Sequence, residues 1–531
     1  MKAISVASAF LWLACLLFMN PAAKAQGVGA SGDIIGTVTD PSGAIVPRAA
    51  VVAVETARGT RYTTTTADSG QYRLTGLSPA VYSVTVQIAG FTTMTQKGVV
   101  VNVGETTTAD FSLKVATSGQ TVEVTATPPV LDRERGSQAN TLTEQYVTDL
   151  PIDRRDYLTF TLLLPGVSNS TRLADDQDFR VKQTPQSGLS FYGSNGRGNS
   201  VTVDGGEALG DSGGVRLTIS QDAVQEFQVN RSNYSADLGG ASGASINIVS
   251  KSGTNDLHGS LYSYFRNSAM DARDPFAFSP ALAPGAVFNP LAPDSQGAPI
   301  KNSLSRYQYG GSVGFPIQRD KTFFFASFEG LLQNSQNSVP LLTNTNIFRP
   351  TSGQQAVLNG LTGGAIVPCL SGPVGAAVAA ELLLPPPSPT TNLPASTCAA
   401  ILNGVLTINP ATSPSNAFLV NEFEANGGLF NYNTREYLAS VRLDHRIDDA
   451  DQISLTFRYG HDLEENPDVQ SLTGFSAGSS IHNYDDNIMG AWYHEFSPRA
   501  QNELRVQWDY NSFNVIPNEP GEVGLQIPGF A

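Results

Sequence analysis

The residues that could do bond chemistry are few, and the clearest candidate is one pair with metal-ligand spacing. His461 and Glu464 stand three residues apart. A catalytic zinc ion needs three protein ligands, and no clear third ligand accompanies this pair. The pair also lies at the end of a segment whose alternating polarity predicts a β-strand. We therefore expect no metal site here.

Three other patterns also lack the residues that their chemistry needs. The acidic run Asp448, Asp449 and Asp451 has neither the glycine nor the twelfth-position glutamate of a calcium loop, and it predicts a solvated tight turn. The glycine-rich string at 193–198 is not followed by the Lys-Ser/Thr pair of a phosphate loop. No nucleophile elbow is present for Ser-His-Asp chemistry. The sequence predicts no catalytic residue, no metal and no cofactor, and hence no enzyme.

The N-terminus predicts export. Lys2 precedes an apolar run at 4–19, and the small-residue pattern Ala23-Lys24-Ala25 follows. This is typical of a secretory signal at residues 1–25, and the run is shorter than the ~20 residues of a membrane-spanning helix. Cleavage removes Cys15 and leaves Cys369 and Cys398, an even pair in an oxidising compartment. We expect these two residues to form a disulfide.

Composition narrows the class of protein further. The 531 residues include 32 Lys+Arg against 47 Asp+Glu, a net charge of -15. The basic surface that nucleic-acid binding requires is therefore not expected. With 50 Gly and 32 Pro, the chain fits a β-rich, turn-rich protein better than a helical one.

Residues 26–118 predict a small all-β sandwich, because short β-branched runs alternate with turns about every ten residues. The pattern also includes Gly36, Val38, Asp40, Gly43, Ala44, Val46, Pro47, Gly70, Tyr72, Leu77, Tyr82, Val84, Gly90 and Phe91. In these residues the segment resembles the carboxypeptidase regulatory-like domain, which has an immunoglobulin-type fold. The resemblance implies an accessory module without catalytic machinery.

Residues 119–130 predict an extended linker that ends at Pro128-Pro129. One interpretation is a plain tether between two domains. The other is a free strand that adds to a sheet edge of a partner protein, because Val122, Val124 and Ala126 alternate with polar residues.

Residues 131–255 mix one helix-compatible stretch, 142–150, with Gly-rich segments and short β-branched runs. The runs at 191–193, 201–206 and 245–249 predict core strands. An α+β domain is therefore expected.

Residues 256–531 change to a period of two. Apolar and aromatic residues alternate with polar ones in segments of about ten, which is typical of an outer-membrane β-barrel whose polar face lines a watery lumen. Short turns such as 448–451 alternate with long connections such as 331–433. The alternating apolar positions are Tyr307, Tyr309, Val313, Phe315, Ile317, Tyr437, Val441, Leu443, Ile453, Leu455, Phe457, Tyr459, Leu504, Val506, Trp508 and Tyr510.

Several short motifs accompany this order of segments: Leu150-Pro151-Ile152 with Arg155 and Tyr157, Leu164-Pro165-Gly166-Val167, Asn195-Gly196-Arg197, Val203-Asp204-Gly205-Gly206, Tyr234 to Gly243, Ile248 to Asn255, His258 to Asn267 and Asp320 to Gly330. In these motifs and in the order of its segments, the chain resembles the TonB-dependent outer-membrane receptors of the Oar-like type. The resemblance covers nearly all of residues 33–514. It implies a mainly β chain: an immunoglobulin-like sandwich, an α+β plug domain and the N-terminal part of a transmembrane antiparallel β-barrel.

The resemblance also implies site residues. The TonB box, the strand that the energy-coupling protein binds, would comprise Thr121, Val122, Glu123, Val124, Thr125 and Ala126. Arg197, Asp204, Gly205 and Gly243 would belong to the plug motif. Charged lumen residues such as Arg442, Asp444, Arg458, Arg505 and Asp509 would contact the plug, or would face the solvated lumen and pair with one another, or would recognise the ligand.

The implied function is uptake of a ligand across the outer membrane, driven by the proton-motive force. The implied partners are a TonB-type inner-membrane protein, outer-membrane lipid, the barrel-assembly machinery and an extracellular ligand, with the sandwich in the periplasm. Carbohydrate, peptide and metal chelate remain equally open as ligands. The alternative is a surface carbohydrate- or matrix-binding adhesion protein without transport.

One feature departs from this family. A barrel of 22 strands needs roughly 220 residues in strands alone, whereas only 276 residues follow Asn255, many of them in one loop region. About seven strands are expected, and no amphipathic strand ending in an aromatic residue closes the sequence. We expect a fragment of a longer receptor or a truncated product, which would not transport by itself.

Overall fold

Three β-rich units follow one another along the chain. The structure is a computed structural model, and it describes residues 30–115, 122–125, 136–169, 188–194, 198–209, 215–216, 219–234, 238, 240–273, 301–339, 428–467, 469, 475, 478–497 and 500–519. The predicted signal at 1–25 lies outside these residues. No helix in the described part of the chain is long and apolar enough to cross a membrane.

The first unit is a two-sheet sandwich. One sheet has the order β4-β1-β7, with β8 paired to β1, and the other has the order β3-β2-β5-β6-β9. The strands are β1 (Gly32–Thr39), β2 (Ala50–Glu55), β3 (Arg61–Thr65), β4 (Gln71–Leu77), β5 (Ala80–Gln87), β6 (Met94–Val101), β7 (Thr106–Thr108), β8 (Phe111–Ser112) and β9 (Val122–Thr125).

Alternating side chains from both sheets form the sandwich core. In β5, Tyr82, Val84 and Val86 all point inward and are fully buried. They pack with residues of the facing sheet such as Ile34 and Phe111. This inward alternation follows from the two-residue period of a strand with one face on the core.

The second unit is the plug, built on a five-stranded sheet of order β10-β15-β16-β13-β14. One short helix, α1 (Glu144–Asp149), lies within the predicted stretch 142–150. The strands are β10 (Gln138–Leu142), β11 (Val167–Asn169), β12 (Leu189–Phe191), β13 (Ser200–Val203), β14 (Gly206–Glu207), β15 (Val224–Ser232) and β16 (Ser245–Ser250). Short 3-10 helices span Asp153–Arg155, Tyr157–Leu163 and Gln221–Ala223.

The third unit is a seven-stranded antiparallel sheet, the barrel sheet, in which each strand pairs with the next one in the sequence. A fourth short 3-10 helix, Ser268–Met270, follows its first strand. The strands are β17 (His258–Asn267), β18 (Leu304–Gln318), β19 (Thr322–Val339), β20 (Gly428–Arg446), β21 (Asp451–Glu465), β22 (Ser479–Ser497) and β23 (Ala500–Pro517). Together the three units confirm the mainly β fold class.

The two faces of the barrel sheet differ in polarity, as predicted. On the outer face of β23, Leu504, Val506, Trp508 and Tyr510 are each more than half exposed. The plug covers the inner face, where the polar residues are buried. The buried polar residues of this face include Arg306, Gln308, Glu329, Gln333, Glu436, Arg458, Asp462, Glu464, Asp485 and Asn487.

The sandwich lies at the short-turn end of the barrel sheet. Residues 319–321 join β18 to β19 there and residues 447–450 join β20 to β21, whereas β19 ends at Val339 and β20 begins at Gly428 at the opposite end. The Thr75 hydroxyl donates to Gln501 Oε1 at 2.9 Å, near the start of β23. The Asn255 backbone N–H donates to the Ala57 carbonyl at 3.1 Å, and the Asn255 side chain donates to Asp320 at 2.7 Å.

Candidate functional site: the plug and its partners

Asp204 is the centre of a charged contact between the plug and the barrel sheet. It occupies the turn between β13 and β14 with a positive φ of 53°. Its carboxylate accepts hydrogen bonds from the Ser250 N–H at 2.8 Å and from the Ser250 hydroxyl at 2.7 Å. Arg442 of β20 and Arg458 of β21 reach the same carboxylate at 3.2 Å and 3.1 Å. One plug carboxylate therefore links two barrel strands.

The arginines of this cluster keep the carboxylate of Asp204 ionised. Burial alone would raise the pKa of Asp204, but the guanidinium groups of Arg442 and Arg458 outweigh burial and hold that pKa below its usual range. Arg442 also pairs with Asp444 at 2.9 Å, and the Ser252 hydroxyl of the plug donates to Asp444 at 2.6 Å. Two arginines thus face two aspartates.

Gly205 lets β23 approach the plug closely. Its φ of +79° is a conformation that favours glycine. A Cβ at this position would lie 2.4 Å from Nη1 of Arg505, so the guanidinium of Arg505 covers the glycine directly. Asp204 and Gly205, both predicted as plug residues from the motif, therefore lie against three different barrel strands.

A second charged contact, which the predicted site residues did not include, centres on Arg155. Its guanidinium pairs with Asp222 of the plug at 2.6 Å and with Glu329 of β19 at 3.2 Å. The same group lies 3.9 Å from the ring centre of Tyr262, whose hydroxyl donates to Glu329 at 2.6 Å. The signal was present in the sequence, since Arg155 belongs to a quoted motif.

Further ion pairs extend the contact along the sheet. Arg216 lies 3.3 Å from Asp509 of β23 and 3.7 Å from Asp485 of β22. Arg306 of β18 pairs with Asp153 at 2.6 Å. Charged lumen residues thus contact the plug through several strands instead of facing solvent.

Gly243 has a role inside the plug. A Cβ there would lie 2.2 Å from Oδ1 of Asn199. That buried amide accepts from the Ala244 N–H at 3.0 Å and donates to the Leu189 carbonyl at 2.8 Å. The Tyr234 hydroxyl donates to the Gly243 carbonyl at 2.9 Å. Glycine at this position allows the loop before β16 to close on the plug core.

The plug also contacts the sandwich, and that contact contains one buried acid. The Val103 N–H donates to the carboxyl group of Glu226, which is 5% exposed. Burial raises the pKa of Glu226 to about 8; the hydrogen bond from Val103 opposes the rise, and nearby Glu105 adds to it. Gln228 donates to the Val103 carbonyl at 2.7 Å, and Thr141 donates to Glu105 at 2.7 Å.

The box-like segment, residues 121–126, is described for its four central residues. These form β9, which pairs in parallel with β6, Met94 opposite Val122 and Lys97 opposite Thr125. The segment predicted as a free strand is therefore the outermost strand of a sandwich sheet. Its end residues, Thr121 and Ala126, lie outside the described residues, as do Arg197, Cys369 and Cys398.

The two rejected metal patterns have structural explanations. His461 lies on β21 between the rings of Tyr437 and Tyr484, whose centres are 6.2 Å and 4.2 Å away. Glu464, three residues further along the same strand, belongs to the buried inner face, so the two side chains point to opposite sides of the sheet. Asp448 accepts the N–H groups of Ala450 and Asp451, which closes a tight turn. Among the described residues, no group of three or more His, Cys, Asp or Glu side chains could hold a metal ion.

Comparisons with protein families identify the class. A model described as an outer membrane beta barrel domain matches residues 249–531, and one described as a carboxypeptidase regulatory-like domain matches residues 33–114. The first match covers more than half of the chain, so the chain belongs to the outer membrane beta barrel domain family. It is an outer-membrane protein with a regulatory-like domain at its N-terminal side.

Individual relatives are more distant. The TonB-dependent transporter Oar of Myxococcus xanthus is 24% identical over 324 residues, which cover 59% of this chain and 27% of that protein. The outer membrane transporter YddB of Escherichia coli is 11% identical, with a TM-score of 0.40 over 70% of this chain and 38% of its own. The siderophore receptor PirA of Acinetobacter baumannii is 12% identical, with a TM-score of 0.38 over 73% of this chain and 42% of its own.

The chain spans about a quarter of the length of the curated relative and less than half of these solved structures. Its predicted resemblance to TonB-dependent receptors of the Oar-like type is confirmed. The curated relative is named as a transporter, and the adhesion alternative is not favoured.

Proposed function

We propose that this chain acts in TonB-dependent transport, the proton-motive-force-coupled uptake of a ligand across the outer membrane. The observation that carries the proposal is the plug held against the inner face of the barrel sheet by ion pairs, with Asp204 between Arg442 and Arg458 at their centre. Buried ion pairs add little net stability compared with apolar packing. Water that enters the lumen can solvate both partners, so such a contact suits a plug that must separate from the wall.

The position of the box-like segment supports energy coupling. β9 lies between the last strands of the sandwich and β10, the first strand of the plug. A pull on β9 toward the inner membrane would therefore reach the plug through residues 126–137. Strand addition to β9 by a TonB-type inner-membrane protein would supply the grip, since main-chain hydrogen bonds give such contacts their affinity.

The remaining partners follow from the two faces of the barrel sheet. The apolar outer face, with side chains such as Val506 and Trp508 exposed, suits contact with outer-membrane lipid. The barrel-assembly machinery would insert the sheet, and the sandwich at the short-turn end would lie in the periplasm. The ligand would bind on the opposite side, at the long connections and the plug apex.

Binding to the coupling protein tests the proposal without knowledge of the ligand. The full chain in detergent micelles is titrated with the purified periplasmic domain of the TonB-type protein from the same organism. We expect saturable binding, and a loss of at least tenfold in affinity when residues 121–126 are replaced by a Gly-Ser segment of equal length. The control variant Val122→Ile with Val124→Ile keeps the strand propensity and should bind like the unmodified chain.

Two results would count against the proposal. If the unmodified chain does not bind the periplasmic domain, energy coupling through a TonB-type protein is wrong. If the Gly-Ser variant binds equally well, the box-like segment is not the docking strand, and the coupling protein binds elsewhere on the chain.

A further inference from the structure

The strand that would be pulled already has a partner in this structure. β9 pairs with β6 through four registered residue pairs, Met94 with Val122 through Lys97 with Thr125. β6 pairs with β5 on its other side, so β9 forms the end of a continuous five-stranded sheet. The sandwich thus holds the segment by the same backbone hydrogen bonding that a coupling protein would use.

The sandwich cannot simply move with β9, because it is also bound to the plug and to the barrel sheet. Val103 contacts Glu226 and Gln228 of plug strand β15. Thr75 and Gln501 join the sandwich to the β22–β23 end of the barrel sheet through two hydrogen bonds. While β9 remains on β6, tension applied to β9 passes into these anchors as well as toward β10.

The β6–β9 contact is short enough to be reversible. It consists of one four-residue ladder at the edge of the sheet, whereas β6 and β5 pair along most of their lengths. Among the residues whose burial the structure describes, the apolar cluster of the sandwich runs from Ile34 to Leu113. Loss of β9 would remove one edge strand, and the other four strands of the sheet would remain paired with one another.

We propose that β6 is a latch for the box-like segment, and that the coupling protein binds β9 only after displacing it from β6. This inference rests on the proposed function and adds a regulatory contact to it. The sandwich competes with the coupling protein for β9. The strength of the β6–β9 pairing therefore determines the apparent affinity of the coupling protein for the receptor.

A reversible lock tests the competition. Thr95 and Glu123 are registered partners, and neighbouring strands lie about 4.8 Å apart, within the Cα separation that a disulfide spans. The double variant Thr95→Cys with Glu123→Cys is prepared in a background carrying Cys369→Ser and Cys398→Ser. We expect oxidation to lower the affinity for the TonB-type periplasmic domain at least tenfold and reduction to restore it.

A matched lock at the other edge of the same sheet provides the control. Val52 and Thr63 are registered partners of β2 and β3. The variant Val52→Cys with Thr63→Cys in the same background should bind equally well when oxidised and when reduced. Equal affinity of the oxidised and reduced β6–β9 lock would overturn the latch, because the coupling protein would then bind β9 while it remains in the sheet.

A measurement on the unmodified chain keeps the test decisive if the locked variant does not fold. Hydrogen exchange of the backbone amides at 94–97 is followed with and without the periplasmic domain. Displacement of β9 predicts faster exchange in β6 on binding, whereas unchanged or slower exchange overturns the latch. A failure of the proposed function is distinguishable, since in that case the unmodified chain shows no binding at all.

Discussion

The plug contacts the barrel sheet on one side and the sandwich on the other, and the central carboxyl groups of these two interfaces differ in charge. Toward the barrel sheet it presents an ionised carboxylate, Asp204, between two arginines. Toward the sandwich it presents Glu226, a buried acid whose pKa of about 8 keeps it mostly protonated at neutral pH. One contact depends on charge and the other on its absence.

The two interfaces must therefore respond to pH in opposite directions. Asp204 has a lowered pKa, so its contribution to stability is present above its unfolded pKa of 3.8 and is lost as the pH falls below that value. Glu226 has a raised pKa, so its contribution is present at low pH and is lost as the pH rises from 4.5 to about 8. A folded plug can thus loosen on one side while it stays attached on the other.

The largest effect is expected when the charged interface loses its central carboxylate. Asp204→Asn keeps the shape of the side chain but leaves Arg458 without its carboxylate partner and Arg442 with Asp444 alone. Removing one partner of a buried ion pair costs about 3–5 kcal/mol. Hydrogen exchange of the Ser250 amide, which donates to Asp204, measures the loss as a faster local opening of the plug.

The control for this variant is Asp40→Asn in an exposed turn of the sandwich, where the carboxylate accepts local hydrogen bonds from Ser42 and Ala44. It should leave the exchange of the Ser250 amide unchanged. If Asp204→Asn also left that exchange unchanged, ion pairing would not be what holds the plug to the wall.

A smaller effect is expected from adding a methyl group at Gly205, where the plug lies close to β23. Gly205→Ala places a methyl group where Arg505 lies and also strains the positive φ. Gly193→Ala has almost the same φ, +83°, but no atom of the described residues lies within 4 Å of its added Cβ. The strain common to both costs about 1 kcal/mol, and displacing Arg505 should add about 1 kcal/mol for Gly205 alone.

The difference between these two glycine variants isolates the contact with the barrel wall. It is measured as the difference in the free energy of unfolding of the chain in detergent. Equal losses for Gly205→Ala and Gly193→Ala would mean that the Arg505 guanidinium moves aside without cost, and that β23 is not held close to the plug.

Much of this arrangement could be predicted from the sequence, because it depends on local periodicity. The alternation in 504–510 predicted which side chains face outward, and the helix-compatible stretch at 142–150 contains α1. The opposite orientation of His461 and Glu464 follows from the same period of two. The motif also placed Asp204 and Gly205 in the plug.

The pairings between units could not be predicted in this way. Asp204 and Arg442 are 238 residues apart in the sequence, and their contact depends on how the plug is rotated within the barrel sheet. The alternation of Val122 and Val124 predicted a free strand that would add to a sheet edge of a partner protein, whereas the structure pairs this strand with β6 of the same chain. The length of a strand and its polarity do not encode which edge it finds.

The smallest effect is expected at the interface between the plug and the sandwich. Its stability should fall as the pH rises, which is the opposite of the pH dependence expected at Asp204. Glu226→Gln keeps an acceptor for the Val103 N–H but removes the titration. As the pH rises from 4.5 toward 8, the unfolded chain has lost the proton that folded Glu226 retains, so the unmodified interface weakens. The variant should show a flat profile over that range.

One pKa unit corresponds to about 1.4 kcal/mol, and the sandwich can part from the plug and admit water, so we expect an effect of about that size at pH 8. Hydrogen exchange of the Val103 amide against pH measures it, with Asp68→Asn on the exposed sandwich surface as the control. If the unmodified chain instead became better protected at Val103 as the pH rose, Glu226 would be ionised in the contact. Both interfaces of the plug would then depend on an ionised carboxylate.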